Sequence, residues 1–105
     1  MKNTNQIKQN IKADFVNPNG VFSVDGRKGI VNIKTGELIR RAFAEIITSD
    51  GRFRFGGGWG VLNLETGETI REPFADIIFS NGVFRQRGNH GVVSLETGEI
   101  VKQAE

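Results

Sequence analysis

Shifted by 31 residues, the chain falls on itself twice, and this period constrains the fold more than any other feature. Gly20, Gly51 and Gly82 form one column, and Thr35-Gly36-Glu37, Thr66-Gly67-Glu68 and Thr97-Gly98-Glu99 form three more. Units 13–43, 44–74 and 75–105 follow a polar leader, 1–12, with no residue left over. The remaining invariant columns are Ala13/Ala44/Ala75, Phe22/Phe53/Phe84, Gly26/Gly57/Gly88 and Gly29/Gly60/Gly91. A unit this short cannot bury its own apolar face, so neighbouring units must bury it together.

Within each unit the punctuation is that of β-structure. A short apolar run (Phe15-Val16, Ile46-Ile47, Ile77-Ile78) meets Asn19-Gly20, Asp50-Gly51 or Asn81-Gly82, which predicts a type I′ hairpin turn at each place. The second strand (V-F-S-V, R-F-R-F, V-F-R-Q) alternates around the invariant phenylalanine. A loop (D-G-R-K, G-G-G-W, R-G-N-H), a third strand (I-V-N-I, V-L-N-L, V-V-S-L), the Thr-Gly-Glu turn and a fourth strand (L-I-R, T-I-R, I-V-K) complete the unit. Twelve short strands in an antiparallel meander is the expected all-β fold, with Pro18 and Pro73 at strand ends. The leader is read as flexible, the alternative being an arm that caps the first unit or touches a partner; its Ile7 and Ile11 share a helical face, but so short a peptide rarely holds helix without packing.

Composition narrows the chemistry. With no cysteine and one histidine, His90, the chain has no thiolate or histidine-cluster metal site, and no cofactor motif is present. Gly56-Gly57-Gly58 is followed by a strand and not a helix, so it reads as a hairpin loop and not a phosphate cradle. No stretch approaches the ~20 apolar residues of a membrane span, and the N-terminus lacks a signal-peptide core, so a cytoplasmic protein is expected. The net charge of +2 arises in the leader, where Lys2, Lys8 and Lys12 have no acid beside them.

The middle unit, with F-R-F-G-G-G-W-G-V-L-N-L-E-T-G-E-T-I-R-E-P-F-A-D-I-I, resembles the bacterial WG repeat, also called the KWG repeat. The match rests on Phe53, Gly57, Trp59, Gly60, Val61, Leu64, Gly67, Ile70, Pro73, Phe74, Asp76 and Ile77, and the repeat covers all but the leader. The Trp-Gly pair occurs once; its equivalents are Lys28-Gly29 and His90-Gly91, and Ala42 and Ala104 replace Pro73. The resemblance implies an all-β repeat fold used for binding, with no catalytic residues to carry over. An open array and a closed pseudo-threefold body of the β-trefoil or β-prism kind both satisfy the period; the array is preferred.

Candidate contact residues follow from this scaffold. Trp59 is expected at a loop tip, exposed to a partner or packed down as a core plug. Arg52, Arg54, Arg85 and Arg87 alternate opposite Phe53 and Phe84, and an outward face would line up four guanidiniums. Lys28 and His90, at the Trp59 position, join them as variable loop residues. The acids Asp14, Glu45, Asp76 and Glu37, Glu68, Glu99 recur in columns, so they read as structural and are expected to pair across strands with Arg40, Arg71 and Lys102. The function expected is a non-enzymatic protein-interaction module, including a small inhibitor of a host or partner protein. The alternative is an anion binder that takes nucleic acid or a charged glycan on the arginine face.

Overall fold

The computed structural model describes residues 6–7 and 11–105, and among these it is all-β with no helix. The first unit supplies β3 (Phe15–Val16), β4 (Val21–Val24), β5 (Arg27–Val31) and β6 (Leu38–Ala44). The second supplies β7 (Ile46–Ile47), β8 (Arg52–Phe55), β9 (Gly58–Leu62) and β10 (Thr69–Ala75). The third supplies β11 (Ile77–Ile78), β12 (Val83–Gln86), β13 (Asn89–Val93) and β14 (Ile100–Lys102). Each unit is its own four-stranded antiparallel meander, paired in sequence order. In the leader, β1 (Gln6–Ile7) pairs with β2 (Ile11–Lys12), placing Ile7 opposite Ile11. The flexibility expected of the rest of the leader falls outside the described residues.

The three sheets form an open array, 52 × 23 × 17 Å, and do not close on themselves. The cores lie between sheets. Phe53, Leu62 and Ala44 of the second unit pack on Val21 and Ile30 of the first. Phe84, Val93, Ala75 and Ile78 of the third pack on Val61 of the second. Alternation along each strand therefore gives every sheet a face for the unit before and a face for the unit after. Burying each phenylalanine contributes about 1.5–3 kcal/mol, and Phe22, Phe53 and Phe84 are all fully buried.

The turns differ from expectation in one respect. The Asn-Gly and Asp-Gly pairs are not type I′: only the glycines, Gly20, Gly51 and Gly82, have positive φ. The Gly20 amide donates to Asn17 O and the Asn17 amide donates to Val21 O, which makes a longer loop ending in a glycine bulge. Type I′ geometry falls one hairpin later, at Asp25-Gly26 (φ 50° and 81°), Gly56-Gly57 (64° and 87°) and Arg87-Gly88 (53° and 83°). These two-residue turns shorten the expected loops. Lys28, Trp59 and His90 consequently lie inside strands β5, β9 and β13.

The glycine after Trp59 has a separate reason. Phe22, Phe53 and Phe84 are the direct cross-strand partners of Gly29, Gly60 and Gly91. A methyl group at Gly29 would stand 2.6 Å from both the Phe22 ring and the Arg40 carbonyl oxygen. The ring fills the space the missing side chain leaves, and β6 and β10 bulge inward over the same spot. Pro73 sits within β10, not at its end as expected, because β10 is an edge strand that is bulged there, and no ladder bond is lost.

This contrast is measurable by urea denaturation. Gly57→Ala meets nothing within 4 Å and only a positive φ, so it should cost about 1–2 kcal/mol. Gly60→Ala drives a methyl group to 2.9 Å from Pro73 N and should cost about 3 kcal/mol or more. Equal costs would mean that the bulge does not press on Gly60.

Candidate functional site

The candidate site grows out of the acid that opens the second unit. Glu45 follows β6, and its Oε2 accepts the Gly56 amide at 3.0 Å, fastening the type I′ turn. Asp14 and Asp76 do the same for Asp25 and Arg87, each at 3.1 Å. The acid column thus binds turn amides and not the basic column with which it was expected to pair. Arg40 and Arg71 reach across the sheet junctions instead. Arg40 Nη1 donates to Gly67 O at 2.6 Å and to Thr69 Oγ1 at 3.1 Å, and Arg71 Nε donates to Gly98 O. The Thr-Gly-Glu turn is itself held locally, with Asn63 Oδ1 accepting the Glu65 and Thr66 amides and Thr66 Oγ1 accepting that of Glu68.

Glu45 has a further set of neighbours. Its carboxylate lies 3.6 Å from Arg27 Nη1 of the first unit and 3.9 Å from Arg54 Nε of its own. Both arginines are about half exposed, so such pairs supply only ~0–1 kcal/mol each and mainly orient the side chains. Arg27 also donates to Phe43 O at 3.1 Å. The Phe43 ring stands 5.5 Å from Phe53 and 5.8 Å from Phe55, and the Arg40 guanidinium lies 4.2 Å from its centre. Phe55 leaves 45% of its surface in solvent, and Ile46, cross-strand from Arg54, is exposed as well. The result is a shoulder at the first junction: the Phe43–Phe55 pair meets Arg27 at the Phe43 carbonyl, Arg27 meets Glu45, and Arg54 reaches Glu45 from the opposite face of β8.

The residues singled out from sequence are distributed unevenly about this shoulder. Arg54 belongs to it. Trp59 is cross-strand from Arg54 but half-buried, packed against the core of the second junction and not standing at a loop tip. Arg52 is a structural tie: its Nε donates to both Asp50 carboxylate oxygens at 2.9 and 3.0 Å, and its Nη1 to Ile78 O of the next sheet at 2.8 Å. Arg85 is exposed beside His90 in the third sheet, and Arg87 is in a turn. Lys28, in the first sheet, donates to Ser23 Oγ at 3.2 Å and lies 5.7 Å from the Phe15 ring centre. The four arginines therefore do not line one surface, because Arg52 is consumed at a junction and Arg87 leaves its strand.

Phe43, Phe55 and Arg27 were not singled out by sequence, and Glu45 was read there only as a structural acid. The available signal was the column Val24/Phe55/Gln86, where only the middle unit places an aromatic. Among the described residues no three acidic or histidine side chains gather as a metal site, and no helix is long and apolar enough to cross a membrane. Compared with family models, with curated proteins and with solved structures, the chain finds no match.

Asp50 gives the site's surroundings a titratable marker. Burial raises the pKa of its carboxyl, but the Arg52 and Thr48 hydrogen bonds and the Arg52 charge outweigh it, and the net shift is downward from 3.8. A carboxyl with a lowered pKa in the fold stabilises it above the unfolded value and loses that contribution as pH falls through the folded value. The stability gap between the parent and Asp50→Asn should therefore be widest at neutral pH and shrink below the ordinary value of 3.8. A gap independent of pH in denaturation curves would contradict the Asp50–Arg52 tie.

Proposed function

We propose that the chain is a non-enzymatic protein-interaction module of the WG-repeat kind, gripping a protein partner with the shoulder formed by Phe43, Phe55, Arg27, Glu45 and Arg54. One observation carries this reading: Phe55, which the fold does not bury, stands beside Phe43, whose carbonyl accepts from Arg27 of the Arg27–Glu45–Arg54 bridge. Aromatic and arginine side chains dominate the energetics of protein interfaces. The invariant columns, by contrast, are spent on turns and on the junction cores, so the non-repeated side chains are left for recognition. The shoulder also bridges two units, so a partner seated on it engages the rigid part of the array.

Action in the cytoplasm and a role as a small inhibitor of a host or partner protein complete the reading, and both rest on the sequence alone. A polyanion is the competing ligand. It draws less support, because Arg52 is bound to Asp50 and Arg54 faces Glu45.

The test is a tagged pull-down from source-cell lysate, with and without nuclease, comparing the parent with Phe55→Ser/Arg54→Glu. Both positions are exposed, so the double variant should keep its stability to within about 1 kcal/mol. A protein retained by the parent under both conditions and lost by the variant supports the shoulder. Equal retention by parent and variant rejects it. Loss after nuclease transfers the function to nucleic acid.

A further inference from the structure

We propose that the outward face of the third sheet is a docking surface for the first unit of a second copy of this chain, stacked head to tail. The argument is register equivalence. On the first sheet Val21 and Ile30 are each 1% exposed, and on the second Val61 is fully buried, because in both cases the following unit covers them. Their third-unit equivalents, Val83 and Val92, are only half-buried. Val101, equivalent to Ile39 and Ile70, is 68% exposed.

The two occupied faces show what chemistry the third is built to receive. Ile39 and Ile70 each seat the Thr-Gly turn of the next unit: a methyl group at Gly67 would lie 2.9 Å from Ile39 Cγ2, and one at Gly98 would lie 3.2 Å from Ile70 O. Arg40 and Arg71 then clip that turn through its glycine carbonyl. Val101 and exposed Lys102 repeat the seat and the cation one unit further on. The matching occupant is therefore an Ala-Phe-Val face with a Thr-Gly-Glu turn, which Ala13, Phe22, Val31 and Thr35-Gly36-Glu37 of another copy supply.

In the first unit that face is packed against Ile11 of β2. The two-pair ladder that carries Ile11 is a weak hold, since a lone hairpin is marginal in water. Docking exchanges Ile11 for the third-sheet face. Isologous pairing of two third sheets is disfavoured, because it brings the exposed cations Arg85 and Lys102 of both copies into one interface. A head-to-tail contact between such elongated arrays leaves each end free for the next copy, so it generates a series and not a dimer.

Sedimentation velocity of the full chain at rising concentration tests this, with Val101→Glu and Ile11→Ser as variants and circular dichroism to verify their folds. The parent's weight-average mass should climb past that of a dimer without a plateau. Val101→Glu, at a solvent-exposed position, should abolish the rise, and Ile11→Ser should bring its onset to lower concentration. Three results would overturn the proposal: a monomer at every concentration for both parent and Ile11→Ser, a plateau at the dimer, or a Val101→Glu variant that associates like the parent.

Discussion

The structure depends on a phenylalanine lying across the strand from a glycine. Phe22, Phe53 and Phe84 face Gly29, Gly60 and Gly91; a side chain would collide with the bulged outer strand at all three glycines, and with the phenylalanine ring as well at Gly29 and Gly91. The missing Cβ lets the fourth strand fold in close, and this closes the sheet behind the ring. The ring is then free to fill the junction with the unit before. One pair of residues thus makes the unit and also joins it to its neighbour.

From this pair the nearest-neighbour character of the array follows. Each junction combines an Ala-Phe-Val or Ala-Phe-Leu face with the opposite-facing apolar side of the preceding sheet, and an arginine on that sheet reaches the next Thr-Gly turn. Neighbours, and not a common centre, supply the burial. The functional consequence is a division of labour. Repeated positions are consumed in the framework, while Arg27, Arg54 and Phe55, which the repeat does not prescribe, carry the distinctive surface.

Much of this was legible in the sequence, and the failures have physical causes. The period, the strand order and the buried phenylalanines could be read because side-chain alternation and glycine punctuation are local properties. The turn type could not, because Asn19-Gly20 supplies the positive φ of a type I′ turn and of a glycine bulge equally well, and the closing bond from Asn17 to Val21 decides between them. Trp59 moved from a loop into a strand because the type I′ turn falls at Gly56-Gly57, one hairpin later than expected. Arg40 and Arg71 were read as partners of acids in their own unit, whereas they bind backbone carbonyls of the next one. Arg52 was lost to the surface in the same way. Contacts across a junction leave no mark in the spacing of a single unit, and the shoulder around Glu45 is such a contact.

Small-angle scattering, extrapolated to infinite dilution, tests the central claim most directly. An array built from neighbour junctions has a Cα radius of gyration of 14.6 Å and a long axis of 52 Å, whereas a compact body of this length would have a radius near ~13 Å. The account predicts an elongated particle with a skewed pair-distance distribution. A symmetric distribution with the smaller radius would contradict it, because the three units would then share one centre.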